Sequence, residues 1–256
     1  MTLPPITVLD AVGSTNDVAR TLGLAGAPHG AAVAARKQTA GRGRRGHSWE
    51  SPRGNVYLSV VLRPRVTPAR LPGLAAACGV GALDALRALA PSREPLLKWP
   101  NDILARKRKL AGILVEAVRG TAGDALAVCG IGVNVSAAPR DLAAVSLAEL
   151  APAASADAGT DVGGLAAALR NHIVARVDAW SAADGDRPLD GVREDYLARL
   201  AWMSAAVVAR DPESGAELAR GTLVDVDPWG RAVLETPSGR MSLTAEQASL
   251  RPASDT

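Results

Sequence analysis

The sequence predicts an α+β protein: a mixed β-sheet with flanking helices over residues 1–200, then a small β barrel over residues 201–256. Three observations lead there. Runs of β type, such as NVYLSVVL at 55–62, are interspersed with segments whose apolar residues recur at helical spacing. Beyond Ala201 the texture changes to short strand-like runs, VVAR, LARGTLVDV, AVLET and GRMSL, separated by Asp-Pro, Gly and Ser. And 256 residues with 48% hydrophobic and 21% charged side chains suffice for one large domain and a small one. No period of 20–50 residues recurs, so a solenoid is excluded.

Taken in order, Gly13-Ser14-Thr15-Asn16-Asp17 supplies N-cap residues before Val18 and Leu22, which share a face, predicting a short helix over 15–25 that Pro28-His29-Gly30 ends. Residues 31–37 and 55–62 read as strands joined by a long glycine-rich loop. Leu74, Cys78, Leu86 and Leu89 mark a helix within 71–89, which Gly79 and Gly81 weaken. From Leu96 to Val135 a second β region contains a hairpin with the basic tip Arg106-Lys107-Arg108 and a third strand over 125–135. Residues 151–164 read as a low-complexity surface loop. Leu165, Leu169, Ile173, Val177 and Trp180 then mark one helix, and Val192, Tyr196 and Leu200 another.

No apolar run reaches 18 residues free of charge, Gly or Pro, and MTLPPITVLD has no signal-peptide pattern, so neither a membrane span nor secretion is expected. Two cysteines without CxxC spacing and three scattered histidines support neither a disulfide framework nor a zinc site; the cytoplasm is the expected compartment. The net charge of +3 is unevenly spread. From residue 201 onward 5 Arg face 8 acidic residues, whereas residues 36–53 hold Arg36, Lys37, Arg42, Arg44, Arg45 and Arg53 against Glu50 alone. Only four of 29 basic residues are lysine, at 37, 98, 107 and 109, so each is a position to inspect for a role arginine cannot fill.

Gly41-Arg42-Gly43-Arg44-Arg45-Gly46 satisfies GxGxxG, but the following HSWESPRG cannot open the helix that a dinucleotide fingerprint requires. No P-loop pattern is present. What remains is a glycine loop whose amides can approach an anion while arginines neutralise it, or simply a solvated basic loop. Lys98-Trp99-Pro100-Asn101-Asp102 fixes a corner that presents an amide beside a carboxylate, or forms a turn without function. Lys109 heads the apolar strand KLAGILVE, and Gly130-Ile131-Gly132-Val133-Asn134-Val135 lets a ligand approach the backbone beside a donor–acceptor amide.

These clusters, with Gly13-Ser14-Thr15-Asn16, Gln38-Thr39-Ala40 and His47-Ser48-Trp49, stand in an order that resembles biotin protein ligases over residues 8–200. The resemblance implies a class II aminoacyl-tRNA synthetase-like catalytic domain and an SH3-like fold for the C-terminal barrel. The chain differs at His47, where the family often has Arg. No helix-turn-helix module precedes the first strand, so a ligase without specific DNA binding is expected, as a monomer or weak homodimer.

By the same resemblance, biotin's carboxylate attacks the α-phosphate of ATP, with Mg²⁺ assisting. A lysine on the biotin carboxyl carrier domain of an acyl-CoA carboxylase then displaces AMP from biotinyl-5′-AMP. Ser14, Thr15, Gln38 and Arg42 would meet the ureido end of biotin, and Trp49, Gly112 and Leu114 its apolar body. Gly41, Arg42, Arg44, Arg45, Lys98, Asn101 and Asn134 would hold the nucleotide. Lys109 would bridge carboxylate and α-phosphate, Arg44 would share the catalytic work, and Asp102 would orient or deprotonate the incoming lysine; no metal ligand is assigned. The Gly/Arg loop would act as a lid, poorly ordered without ligand. Two other readings stay open: a lipoate-protein ligase, sharing fold and adenylation chemistry, and a nucleic-acid-binding module built on the arginine loop.

Overall fold

The computed structural model describes residues 2–89, 94–119, 125–139, 143–151 and 161–253. The elements are β1 (Ile6–Leu9), α1 (Thr15–Leu24), β2 (Ala32–Ala35), β3 (Val56–Leu62), α2 (Leu74–Leu89), β4 (Leu96–Lys98), β5 (Asp102–Ala105), β6 (Arg108–Arg119), β7 (Ala125–Val133), α3 (Leu147–Leu150), α4 (Val162–Ala182) and α5 (Arg193–Leu197). The C-terminal region adds β8 (Ala206–Arg210), β9 (Glu217–Val226), β10 (Ala232–Thr236), β11 (Gly239–Leu243) and β12 (Ser249–Pro252). Most of the expected 151–164 loop lies outside the described residues; its last residues cap and begin α4, with Asp161 accepting from the Gly163 amide at 3.0 Å.

Among the described residues the first seven strands form one sheet in the order β1-β2-β3-β7-β6-β5-β4, antiparallel except for the parallel β1–β2 pair. Alternation along the central strands divides its two faces. Leu58, Val60, Ile113, Ile131 and Val133 join α2 and α4 in the main core. The opposite face carries α1 over Val33, Val61, Leu126 and Val128, and beside it lies a strip where Gly112 pairs with Gly132 and Leu114 with Gly130. That strip is the floor of the site described below.

Gly81, read from sequence as weakening the helix, is required by packing: a Cβ there would lie 2.7 Å from the His172 carbonyl oxygen, so its absence lets α2 and α4 meet backbone to backbone. The segment Leu71–Leu89 is long and apolar enough by composition to cross a membrane, but its apolar residues are largely buried in the core. The β5–β6 hairpin turns through Arg106 (φ 47°) and Lys107 (φ 64°), the left-handed pair that a two-residue hairpin demands.

The C-terminal strands form an antiparallel sheet in the order β11-β10-β9-β8-β12. Among the described residues its edges, β11 and β12, are not paired with one another, so the expected closed barrel appears here as an open five-stranded sheet, and β12 is a strand the sequence reading did not single out. Residues 244–248 carry the chain across to the far edge, where β12 pairs with β8. The two sheets share one continuous apolar core, and Trp99 Nε1 donates to the Gly230 carbonyl at 3.0 Å between them.

Candidate active site

A cleft of about 680 Å³ opens over the glycine strip. It gathers Ser14, Thr15, Gln38, Arg42, Arg44, Arg45, Trp49, Lys98, Asn101, Asp102, Lys109, Gly112, Leu114 and Asn134, every residue singled out from sequence except Gly41. Gly41 has a different task. A Cβ on it would come within 2.7 Å of the Trp49 carbonyl and of Ser51 Oγ, so this glycine lets the loop fold back on itself, with Trp49 N–H donating to the Gly41 carbonyl at 2.9 Å.

At the closed end, Ser14 occupies the N-cap position of α1 but makes no capping bond, and its buried side chain lines the cleft instead. The backbone N–H of Thr15 donates to Gln38 Oε1 at 2.8 Å, and Gln38 Nε2 donates to Ser51 Oγ at 3.1 Å. Asn16 lies against Gly130, where any side chain would collide with its amide, and donates to Glu116 Oε2 at 2.5 Å. Arg42 makes a paired interaction with Asp17 at 2.8 and 2.6 Å. Those bonds hold the Asp17 carboxyl below its ordinary pKa.

In the middle of the cleft the Trp49 indole lies on Gly112 and Gly132; a Cβ at 132 would be 2.5 Å from the ring. Lys109 Nζ stands 5.1 Å from the ring centroid, a cation–π distance. Both oxygens of the nearly buried Asp102 are occupied, Oδ1 by Lys109 at 2.7 Å and Oδ2 by Lys98 at 3.2 Å. Burial alone would raise the Asp102 carboxyl, but the charges of Lys109 and Lys98 outweigh it and hold the group below its usual range. Burial likewise draws the Lys98 ammonium below its ordinary value, with Asp102 opposing. Asp102 is therefore a fixed anion suited to positioning two lysines, and a weak base for deprotonating a third.

Asn101 and Asn134, expected at the nucleotide, direct their donors at the backbone. Asn101 Nδ2 bonds the Ile113 carbonyl at 2.7 Å, and Asn134 Nδ2 reaches the Lys109 and Val145 carbonyls at 3.3 Å each. They brace the strand that carries Lys109.

The Gly/Arg loop contains a short 3₁₀ turn, Arg44–Gly46, and polar anchors not foreseen from sequence. Arg44 donates to the Ala245 carbonyl at 3.2 Å and sits 3.6 Å from Glu246 Oε1; Arg45 donates to the Ala245 carbonyl at 3.1 Å and to the Glu246 carbonyl. The C-terminal sheet thus supplies part of the cleft wall, with Trp202, Ala245 and Arg251 among its lining residues. Sequence reasoning missed these, together with Asp17, Ser59 and Glu116. Asn16 and Glu116 lie inside the motifs that were read, whereas nothing local marks Ala245 or Glu246.

A profile of the Biotin/lipoate A/B protein ligase family matches residues 8–134. A protein of Paracoccus denitrificans named biotin--[acetyl-CoA-carboxylase] ligase is 33% identical over 242 residues, covering 94% of this chain and 98% of its own. Among solved structures, a biotin protein ligase from Aquifex aeolicus in complex with biotin and ATP shares the fold with a TM-score of 0.78 at 23% identity, over 98% of this chain and 100% of that one. A biotin protein ligase from Leishmania major in complex with biotinyl-5-AMP gives 0.65 at 28% identity, over 95% and 100%. On the match along nearly the whole chain, this protein belongs to the biotin protein ligases.

Proposed function

We propose that this ligase activates biotin with ATP to biotinyl-5′-AMP and passes the biotinyl group to a lysine of a biotin carboxyl carrier domain, using the single cleft over the glycine strip for both steps. The observation that carries the reading is the order of chemistries along that cleft: a closed polar end at Thr15 and Gln38, an apolar floor at Gly112 and Gly132, and then Lys109 fixed by Asp102. A bicyclic ligand with a polar ring and an acidic tail fits that order. Its cyclic urea would meet Ser14, Thr15, Gln38 and Arg42, and its apolar body the floor beside Trp49 and Leu114. Its carboxylate would meet Lys109, whose compact ammonium steadies the charge shared with an α-phosphate. Arg42, Arg44, Arg45 and Lys98 would supply charge-assisted donors to the nucleotide.

Among the described residues no three His, Cys, Asp or Glu side chains converge to hold a cation, and Asp102 is taken by lysines. The described residues do not build a resident metal site, so Mg²⁺ enters on this reading with the nucleotide, as part of the substrate. The C-terminal sheet is proposed to be an SH3-like fold left open at one side and to act as a wall that holds the arginine loop. A cytoplasmic setting is part of this proposal, supported by the two free buried thiols, Cys78 and Cys129, which such a compartment keeps reduced.

Lipoate is the less suitable acid, because its dithiolane offers no N–H to the acceptors at the closed end. A nucleic-acid module is disfavoured because Arg42 and Arg53 are paired with Asp17 and Asp10, and Arg44 and Arg45 are tied to residues 245–246. Labelled biotin, ATP and an isolated carrier domain provide the test. Biotin-dependent pyrophosphate release followed by labelling of the carrier is expected; release with lipoate but not biotin would overturn the assignment.

A further inference from the structure

The closed end of the cleft contains a hydrogen-bond chain that is one proton short. Four oxygens stand in line: Asn16 Oδ1, Ser59 Oγ 2.6 Å from it, Thr15 Oγ1 2.8 Å further on, and Gln38 Oε1 3.0 Å beyond that. All three gaps are at hydrogen-bond distance, but only the two hydroxyls carry protons. The ends cannot help. Gln38 must present its oxygen because it also accepts the Thr15 backbone N–H, which can only donate. Asn16 must present its oxygen to Ser59 because its NH₂ is held by the Glu116 carboxylate, which can only accept. Ser59 is fully buried on β3, Thr15 and Asn16 are nearly so, and the glycine at 130 brings the Asn16 amide against the sheet. One gap therefore places two lone pairs face to face, at a cost that a buried, unsatisfied polar contact always carries.

We propose that Glu116, acting through Asn16, and Ser59 are positioning residues that keep this chain acceptor-rich, and so make the pocket select a ligand that presents an N–H to Thr15 and Gln38. When such a donor arrives at Gln38 Oε1, the Thr15 hydroxyl turns to Ser59 and Ser59 continues to donate to Asn16; the empty gap then falls between Thr15 and Gln38, where the ligand N–H and the Thr15 backbone N–H already occupy both lone pairs of the Gln38 oxygen, so no lone pairs are left face to face. A ring oxygen at the same place adds a fifth oxygen without a proton and deepens the deficit. The inference rests on the biotin reading above and deepens it: it says why a cyclic urea is preferred to an isosteric cyclic carbamate.

Two substitutions remove the deficit by different routes. Ser59→Ala leaves the Thr15 hydroxyl free to donate to Gln38 or to a ligand oxygen. Glu116→Gln is nearly isosteric and removes no hydroxyl, but lets the Asn16 amide turn over and donate to Ser59, which fills all three gaps; Arg42 loses a charge 3.8 Å away and keeps its paired contact with Asp17. The experiment is calorimetric titration of wild type and both variants with biotin and with a biotin analogue in which one ureido N–H is replaced by oxygen, alongside turnover at saturating biotin. The expected result is that the wild-type preference for biotin over the carbamate falls about tenfold in each variant, the worth of one hydrogen bond. KM for biotin should rise while kcat changes less than about twofold, because the chain touches binding and not the reacting atoms. A merely structural defect would weaken both ligands alike, so an unchanged preference in either variant overturns the inference. Failure of the wild type to bind biotin would instead overturn the functional reading, and this inference with it.

Discussion

Replacing Asp102 by Asn should destabilise the protein and disable its chemistry together. The wild-type carboxylate separates two ammonium groups, at 2.7 Å from Lys109 and 3.2 Å from Lys98, with only 13% of its side chain exposed. An asparagine keeps the shape but leaves Lys98, itself 10% exposed at the side chain, with no counter-charge. Removing one partner of a buried pair costs about 3–5 kcal/mol. Lys109 is 34% exposed and screened by solvent, which puts the expected loss near the lower end, about 3 kcal/mol. At ~2–4 °C per kcal/mol for a chain of this size, Tm should fall by about 6–12 °C in calorimetry.

The pH dependence fixes the cause. Asp102 has a depressed pKa in the folded protein, so its contribution is present above the ordinary carboxylate pKa and lost as pH falls through the lower folded value. In the variant Lys98 is depressed further than in wild type. Stability of the variant should then rise with pH between the folded Lys98 pKa and the unfolded value near about 10.4, narrowing the gap to wild type in alkaline buffer. Adenylation should drop as well, since Lys109 loses its anchor. A Tm within about 2 °C of wild type, or a gap that does not change with pH, would refute the reasoning.

Lys109→Arg should be nearly as damaging to pyrophosphate release at saturating biotin and ATP as Lys109→Ala, because a planar guanidinium cannot sit between Asp102 and the Trp49 face and still place a point charge on the reacting atoms, where about 1 Å can cost ~100-fold; near wild-type turnover would show that only charge matters there. Arg44→Gly removes the contacts to Ala245 and Glu246, freeing the loop, so more biotinyl-AMP should escape into solution; unchanged free intermediate by chromatography would sink the lid. Gly132→Val places a Cβ 2.5 Å from the Trp49 ring and should displace it, raising KM for biotin at least tenfold, about 1.4 kcal/mol, while folding survives at a cost of about 1–3 kcal/mol; an unchanged KM would show that the strip is not the ligand floor.

Much of this protein is legible along the chain. The helical spacing of Leu165, Leu169, Ile173, Val177 and Trp180 specifies α4, because a periodicity of side chains is a local property that burial then enforces. The motifs at 14–16, 38–49, 98–102, 109–116 and 130–134 specify which side chains meet, because each supplies a residue type that few other roles require. Tertiary structure decided the rest. That Ser14 lines a cleft instead of capping its helix, that Asn134 braces the strand carrying Lys109, and that Asp102 stands between two lysines all depend on what lies opposite. So does the last wall of the site, where Arg44 and Arg45 meet residues two hundred positions away in sequence. The Asn16–Glu116 bond spans a hundred positions and sets the proton count of the whole polar end. Such pairings follow from the order in which β3, β7 and β6 lie side by side, and strand order is chosen by the summed burial of the sheet's two faces, which no single segment encodes.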